Sequence, residues 1–336
     1  MDGKKDINSI KHWLLMGLVA VGGLAVFAII AMVLMIKFMP EKKLPDSEIE
    51  HTVASEETIL SVLEKYDPDG YFLVDTGIKN GDDVGEYYDH AFELTASIID
   101  TVVHEEFHMF TKDGNDNEER MYMNKDDYVI VPFTETYNTI EMAESVPENC
   151  RTIRYSNYIS EPSDELAANR YGAYGLLNEF CAYYWGMNND MALLPWYESQ
   201  NNTAGEWEIW ISLTESNKLA YAEFKYYILH YLKYAKENYP EVYNGIMANE
   251  EFKRVYNETE GRFAEDIAAY EEKLKDLKKV LSGIGIIVKY NENEVFEVRK
   301  LWEEVPTSIE LHGDMYLPLM EELDKPEYKE IEDALK

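Results

Sequence analysis

Cysteine is almost absent from this chain: Cys150 and Cys181 are the only two in 336 residues. Two thiols cannot staple a domain of this size, so the fold has to rest on an ordinary hydrophobic core. An exported location would permit them to pair, and a core thiol or a disulfide partner suits each better than a metal ligand. Positive charge is scarce as well. Lys and Arg total 31 against 65 Asp and Glu, for a net charge of −34. Binding to a phosphate backbone depends on basic patches, so nucleic acid is excluded as a partner. The acidic surface serves solubility, and it would also favour cationic peptides. Internal repeats are absent.

Long apolar runs are missing too, with one exception. Trp13 to Ile36 is 24 residues without a charge, and at about 1.5 Å per residue such a helix crosses a bilayer. A cleaved signal peptide has an apolar stretch of about 7 to 15 residues followed by a small-x-small site. This segment has neither, so an uncleaved signal-anchor is expected. Lys4, Lys5 and Lys11 precede it, while Lys37, Lys42 and Lys43 follow it. The positive-inside rule therefore barely decides the orientation. A short tail inside, residues 1–12, with the large domain exported is the usual outcome for a single N-terminal anchor. Residues 37–55, polar and acidic from Pro40, read as a stalk, and residues 56–336 as the folded domain.

The most informative stretch is His104-Glu105-Glu106-Phe107-His108. On a helix, positions i and i+4 share one face, so His104 and His108 can reach one metal ion. Glu105 then stands beside that ion, where a carboxylate can take a proton from a water whose pKa the metal has lowered. Such a pattern arises by chance in roughly 2 of 100 chains of this composition. The surroundings argue further against chance. Ala91 to Phe110 lacks Pro and Gly, and Ile98, Ile99, Val102, Val103, Phe107 and Phe110 form an apolar stripe at helical spacing. Ser97, Thr101, His104 and His108 fall on a more polar face, which can look into a cleft.

Zinc catalysis needs a third protein ligand and an open fourth position. The longer H-E-x-x-H-x-x-G-x-x-H pattern is absent, since Thr111 and Gly114 stand where Gly and His would be. The best candidate is Glu179, the single carboxylate in the run Leu176 to Trp185. A carboxylate buried in such a helix requires a cation or strong donors, with nearby tyrosines or Arg170 as the other possible partners. Gly172, Gly175, Glu179, Tyr183 and Gly186 share one helical face, and the glycines would let this helix approach another backbone closely. Cys181 falls about 200° round the helix from Glu179, away from any metal. Glu161, Asp164 and Glu165 are reserve ligands, placed around Pro162 where acidic residues also suit a helix start.

With these two motifs the chain resembles the gluzincin class of zinc metallopeptidases, in which H-E-x-x-H on one helix is completed by a Glu from a second helix. Asn178-Glu179 is similar to the N-E of thermolysin-like enzymes, and Glu179-Phe180-x-Ala182 to the E-F-x-A of the anthrax lethal factor group. Thermolysin-like enzymes carry an Asp four residues after the Glu; Tyr183 stands there in this chain. The resemblance implies an α+β, predominantly helical, zincin-like metallopeptidase domain with a small sheet, and Zn2+ as its cofactor. A peptidase also needs a group to stabilise the oxyanion. Tyr183, one turn beyond Glu179 on the same face, is the first candidate. His230, in a tyrosine-rich helix, is more simply a hydrogen-bonded core histidine, and His312 sits in a turn. His90 is too far from His104 along the helix to share a metal.

Elsewhere the pattern predicts helices at Glu56 to Lys65, Glu215 to Asn238, Glu241 to Tyr256 and Gly261 to Leu281. Strands are expected at Tyr71 to Asp75, Tyr128 to Phe133 and Arg151 to Ile159. The function expected from sequence is a membrane-anchored, extracytoplasmic zinc peptidase acting on peptide or protein substrates, with His104, His108 and Glu179 as ligands and Glu105 as base. Two other readings stand beside it: a surface binding or sensory module with a structural zinc, and a pseudoenzyme that keeps the pattern without turnover.

Overall fold

The computed structural model describes residues 53–88, 93–112, 117–161, 167–199, 204–283, 286–290, 295–300 and 307–336. The expected membrane span at 13–36, the tail before it, nearly all of the stalk, His90, Asp164 and Glu165 lie outside the described residues. No helix among the described residues is long and apolar enough to cross a membrane. From Thr52 to the C-terminus the chain forms one compact unit, predominantly helical with two small antiparallel sheets.

Helix α1 (Glu56–Tyr66) begins at a capping box, in which the Ser55 hydroxyl accepts from the Thr58 amide at 3.2 Å and the Thr58 hydroxyl accepts from the Ser55 amide at 2.9 Å. The strand expected at Tyr71 to Asp75 is instead the middle of helix α2 (Pro68–Asn80). Asp67 caps this helix by accepting from the Gly70 amide at 2.9 Å, Pro68 takes the position where its missing N–H costs nothing, and Gly70, Leu73, Val74 and Gly77 recur at helical spacing on the buried face. A one-turn 3₁₀ helix, Val84–Tyr87, leads towards helix α3 (Ala96–Thr111), which carries His104 and His108. Of its apolar stripe, Ile99, Val102, Val103 and Phe107 are fully enclosed, while Ile98 and Phe110 at its ends are half-buried.

Strands β1 (Glu118–Asn124) and β2 (Asp127–Pro132) form a hairpin that packs on α3 through β1. Strand β2 matches the expected Tyr128 to Phe133; its partner β1 was not anticipated. Arg151 to Ile159 is not a strand. It runs through turns into one π-helical turn, Ser156–Ser160. The cause is a carboxylate: Glu223 accepts from the Thr152 hydroxyl and from the Arg154 amide, so that this backbone bonds to a side chain rather than to a neighbouring strand.

After the short helix α4 (Ala167–Tyr171), helix α5 (Ala173–Ala192) is the axis of the fold. It is buried along nearly its whole length between α3, α7 (Ala204–Asn238) and α9 (Glu250–Gly283), while the short α6 (Leu194–Ser199) links α5 to α7. The helix expected over Glu241 to Tyr256 is two: α8 (Pro240–Met247) ends, and Asn249 restarts the chain by accepting from the Phe252 amide at 3.0 Å, ahead of α9. Gly261 does not interrupt α9, which continues through the expected Gly261 to Leu281. A second, unanticipated sheet follows, with β3 (Ile286–Tyr290), β4 (Val295–Lys300) and β5 (Thr307–Glu310) antiparallel in that order. Helices α10 (Gly313–Leu323) and α11 (Pro326–Leu335) return to pack on α7.

Candidate metal centre

Helices α3 and α5 cross so that His104, His108 and Glu179, separated by up to 75 residues in sequence, bring one ligand atom each within 4.8 Å of one another. The two imidazole Nε2 atoms are 3.2 Å apart, and His108 Nε2 is 3.7 Å from Glu179 Oε2. A tetrahedral zinc with bonds of about 2.0–2.2 Å holds its ligands about 3.3–3.6 Å from each other. The donor set therefore fits a zinc ion, in type and in spacing. Among the described residues no fourth His, Cys, Asp or Glu joins the group. Glu161, the described member of the reserve cluster, is exposed and takes no part.

Each candidate ligand is held from behind. His108 donates from Nδ1 to Asn178 Oδ1 at 2.6 Å, which fixes the tautomer and turns the Nε2 lone pair to the centre. Asn178 is itself oriented, because its Nδ2 donates to the Thr111 hydroxyl at 3.1 Å, and that hydroxyl donates to the carbonyl of His108 at 2.7 Å. Its amide also lies beside Glu119 of β1, whose carboxyl burial pushes up to about 8. His104 is bonded to the backbone of Ala182. The ring is half-buried, yet the protein around it, the neighbouring His108 and the charge of Arg154 hold its pKa well below the usual range. It is therefore the neutral form that a metal requires.

Glu179 is 5% exposed. Burial pushes its carboxyl up, and His108 and the Tyr158 hydroxyl, which donates to Oε2 at 3.1 Å, pull against that shift. A tyrosine, the alternative to a cation as partner of Glu179, is thus present, while Arg170 takes no part. Tyr183 sets its ring edge-on to His104, with centroids 4.7 Å apart, and stacks on Phe224. Its hydroxyl lies beside Tyr158 and Arg154, and burial raises its pKa against the pull of that guanidinium. Arg154 stands 4.5 Å from the Tyr183 ring centroid and is locked by Glu223 Oε2 at 2.6 Å and the Ser216 hydroxyl at 2.8 Å. Glu105 is half-buried, and its charge acts on Glu179.

The other candidates separate from this group. His230 is buried among Ser145, Tyr226 and Tyr328, hydrogen-bonded at 2.8 Å to Ser145 and 2.8 Å to Tyr328. Burial lowers its pKa to about 4. It fastens α11 to α7 as a core histidine. His312 adopts φ 51° at the start of α10. Cys150 and Cys181 are both free and buried; Cys181 Sγ contacts the Thr259 hydroxyl at 3.4 Å. Gly186 does admit a close approach, though of side chains: a Cβ there would meet Asp100 Oδ1 at 2.6 Å and Asn217 Nδ2 at 3.2 Å.

The sequence offered Asn178 only as half of an N-E pair, without its role. Tyr158 and Arg154 carried no local signal, because they sit in irregular backbone and act through contacts with α5 and α7. No family model, no curated protein and no solved structure matches this chain.

Proposed function

We propose that this chain is a zinc-dependent peptidase of gluzincin type with a zincin-like domain, anchored by residues 13–36 with that domain outside the cytoplasm. The observation that carries the reading is the convergence of His104, His108 and Glu179 with the Nδ1 of His108 fixed by Asn178. The three residues would hold the ion through two neutral imidazoles and one carboxylate. When bound, zinc supplies a Lewis acid and brings the pKa of water towards about 7.

Glu105, next to His104 and half-buried, would accept the proton of the attacking water and pass it to the leaving nitrogen of the peptide. Tyr183 is positioned at His104, and its hydroxyl would donate to the oxyanion that forms on the substrate carbonyl. Arg154 keeps that hydroxyl in place and adds positive charge behind it. The buried floor made by α5 excludes water from the carboxylate of Glu179, and Tyr158 supplies its second partner. A purely structural metal would not need a carboxylate at Glu105 or an open fourth position.

Metal analysis of the purified chain, followed by a peptide-library digest with and without chelator, tests the reading. About one zinc per chain and chelator-sensitive cleavage are expected. A chain that holds zinc yet cleaves nothing across a broad library would turn the assignment to a structural metal or a pseudoenzyme.

A further inference from the structure

Glu106 points the other way from its neighbours in the H-E-x-x-H run. It lies two residues beyond His104, about 200° round α3, and is 1% exposed. Neither of its carboxylate oxygens has a hydrogen-bond partner among the described residues. A bare charge so placed costs several kcal/mol, so the carboxyl either keeps a proton or meets a cation or donors; burial, Asp82 and Glu105 push it up to about 7. Nothing in the zinc chemistry uses it.

The carboxylate borders a cavity of about 160 Å³ between α2 and α3, where Thr76, Asn80 and Asp82 share the lining with the apolar Leu73, Met109 and Phe110. Two carboxylates converge there. The position that a Cβ on Gly77 would take is 1.7 Å from Glu106 Oε2 and 3.1 Å from Asp82 Oδ2. Only glycine leaves room for the Glu106 carboxylate at this point. Thr76 and Asn80, which carry neutral side-chain oxygens, also line the cavity. Lys112 also borders the cavity, with its ammonium 3.5 Å from Sδ of the lining Met109, and makes no ion pair with Glu106 or Asp82 among the described residues.

We infer that Glu106 and Asp82, with Thr76 and Asn80, form a site for a hard divalent cation of calcium type behind the catalytic helix. Calcium accepts six to eight oxygen ligands in irregular geometry, and two carboxylates, two neutral side-chain oxygens and water in the remaining space can provide them. Magnesium requires a near-ideal octahedron, which an asymmetric pair of carboxylates on a helix and a loop suits less well. The ion would tie α2 and the loop at Asp82 to α3, and so hold the helix that carries Glu105 and both histidines. The site is independent of the zinc reading, since it shares no residue with the histidine centre.

The test uses the full chain with calcium as the probe, read by thermal melting, and Tb3+ as a luminescent substitute sensitised by Tyr87, on which Glu106 acts electrostatically. Saturating calcium should raise the melting temperature of the wild type by roughly 5 °C, and Tb3+ luminescence should be displaced by calcium. Both responses should be lost in Glu106→Gln and in Asp82→Asn. Asp82 is only partly buried, so the second variant remains folded if the first does not. His104→Ala should keep both responses. No calcium response in the wild type, an unchanged response in both carboxamide variants, or loss of the response in His104→Ala would each overturn the proposal.

Discussion

Nδ1 of His108 and Oδ1 of Asn178 lie 2.6 Å apart across 70 residues of sequence. This one bond joins the two helices of the candidate centre, and it selects the tautomer that leaves Nε2 free. It also explains why Asn precedes Glu179: consecutive helix positions are about 100° apart, so Glu179 can face the centre while Asn178 reaches the back of His108.

Asn178→Ala should weaken zinc binding by about 10- to 100-fold, as loss of an orienting partner does elsewhere. A competition titration against a chromophoric chelator reads this directly. Asn178→Asp keeps an acceptor for Nδ1 but loses the donor to Thr111, and its affinity should fall between wild type and Ala. Equal affinity in all three would show that His108 needs no orientation.

Glu179→Ala should lower the zinc content of the purified chain from about one to well below one, and either His→Ala change should do the same. Tyr158→Phe removes only the hydroxyl that donates to Glu179, so it should retain zinc with a smaller loss of affinity. Full occupancy in Glu179→Ala would remove it as third ligand and direct attention to Asp164 and Glu165, which lie outside the described residues.

Glu105→Gln preserves side-chain size but cannot take up the proton. Zinc affinity and melting temperature should stay near wild type, while kcat/KM falls by about 10²- to 10⁴-fold. The comparison is made at equal zinc content on a peptide that the wild type cleaves. Equal rates would trace the cleavage to a contaminant or another site.

A pH dependence is expected from a second carboxylate pair. Asp100 of α3 and Asp190 of α5 are bridged by Asn217 of α7, at 3.2 Å and 3.0 Å. Burial pushes Asp100 up to about 6, with Asn217 and Arg154 opposing, and burial plus Asp100 pushes Asp190 well above the usual carboxylate range. The folded state thus holds protons more tightly than the unfolded chain. Stability from this pair is complete below the unfolded carboxylate pKa of about 4 and is lost as pH rises through 6 and beyond. Asp190→Asn should flatten that decline and raise stability at pH 8 by on the order of 1–2 kcal/mol. Urea midpoints of both proteins between pH 4.5 and 8 provide the check.

Residues 13–36 should keep the chain in the membrane fraction through alkaline washing, while a protease added outside intact cells should reach the acidic domain. A soluble mature form starting near residue 37 would show a cleaved signal instead.

The sequence by itself determined the helix of the two histidines, because its apolar stripe and its 3.6-residue repeat are local properties that burial then enforces. It also singled out Glu179, since a lone carboxylate in an apolar helix demands a partner whatever the fold. It misread Tyr71 to Asp75 and Arg151 to Ile159 as strands. The first was decided by the Asp67 cap and Pro68, and the second by Glu223, which lies 69 residues from the Arg154 amide it accepts from. Only the tertiary structure decided that α3 and α5 cross where His104, His108 and Glu179 meet, that Asn178 and Tyr158 stand behind the ligands, and that Glu106 faces a cavity of its own. Those facts depend on which helix faces pack together. Periodicity identifies a buried face but not its partner, because hydrophobic burial is non-directional and the choice of neighbour emerges only when the whole core is packed.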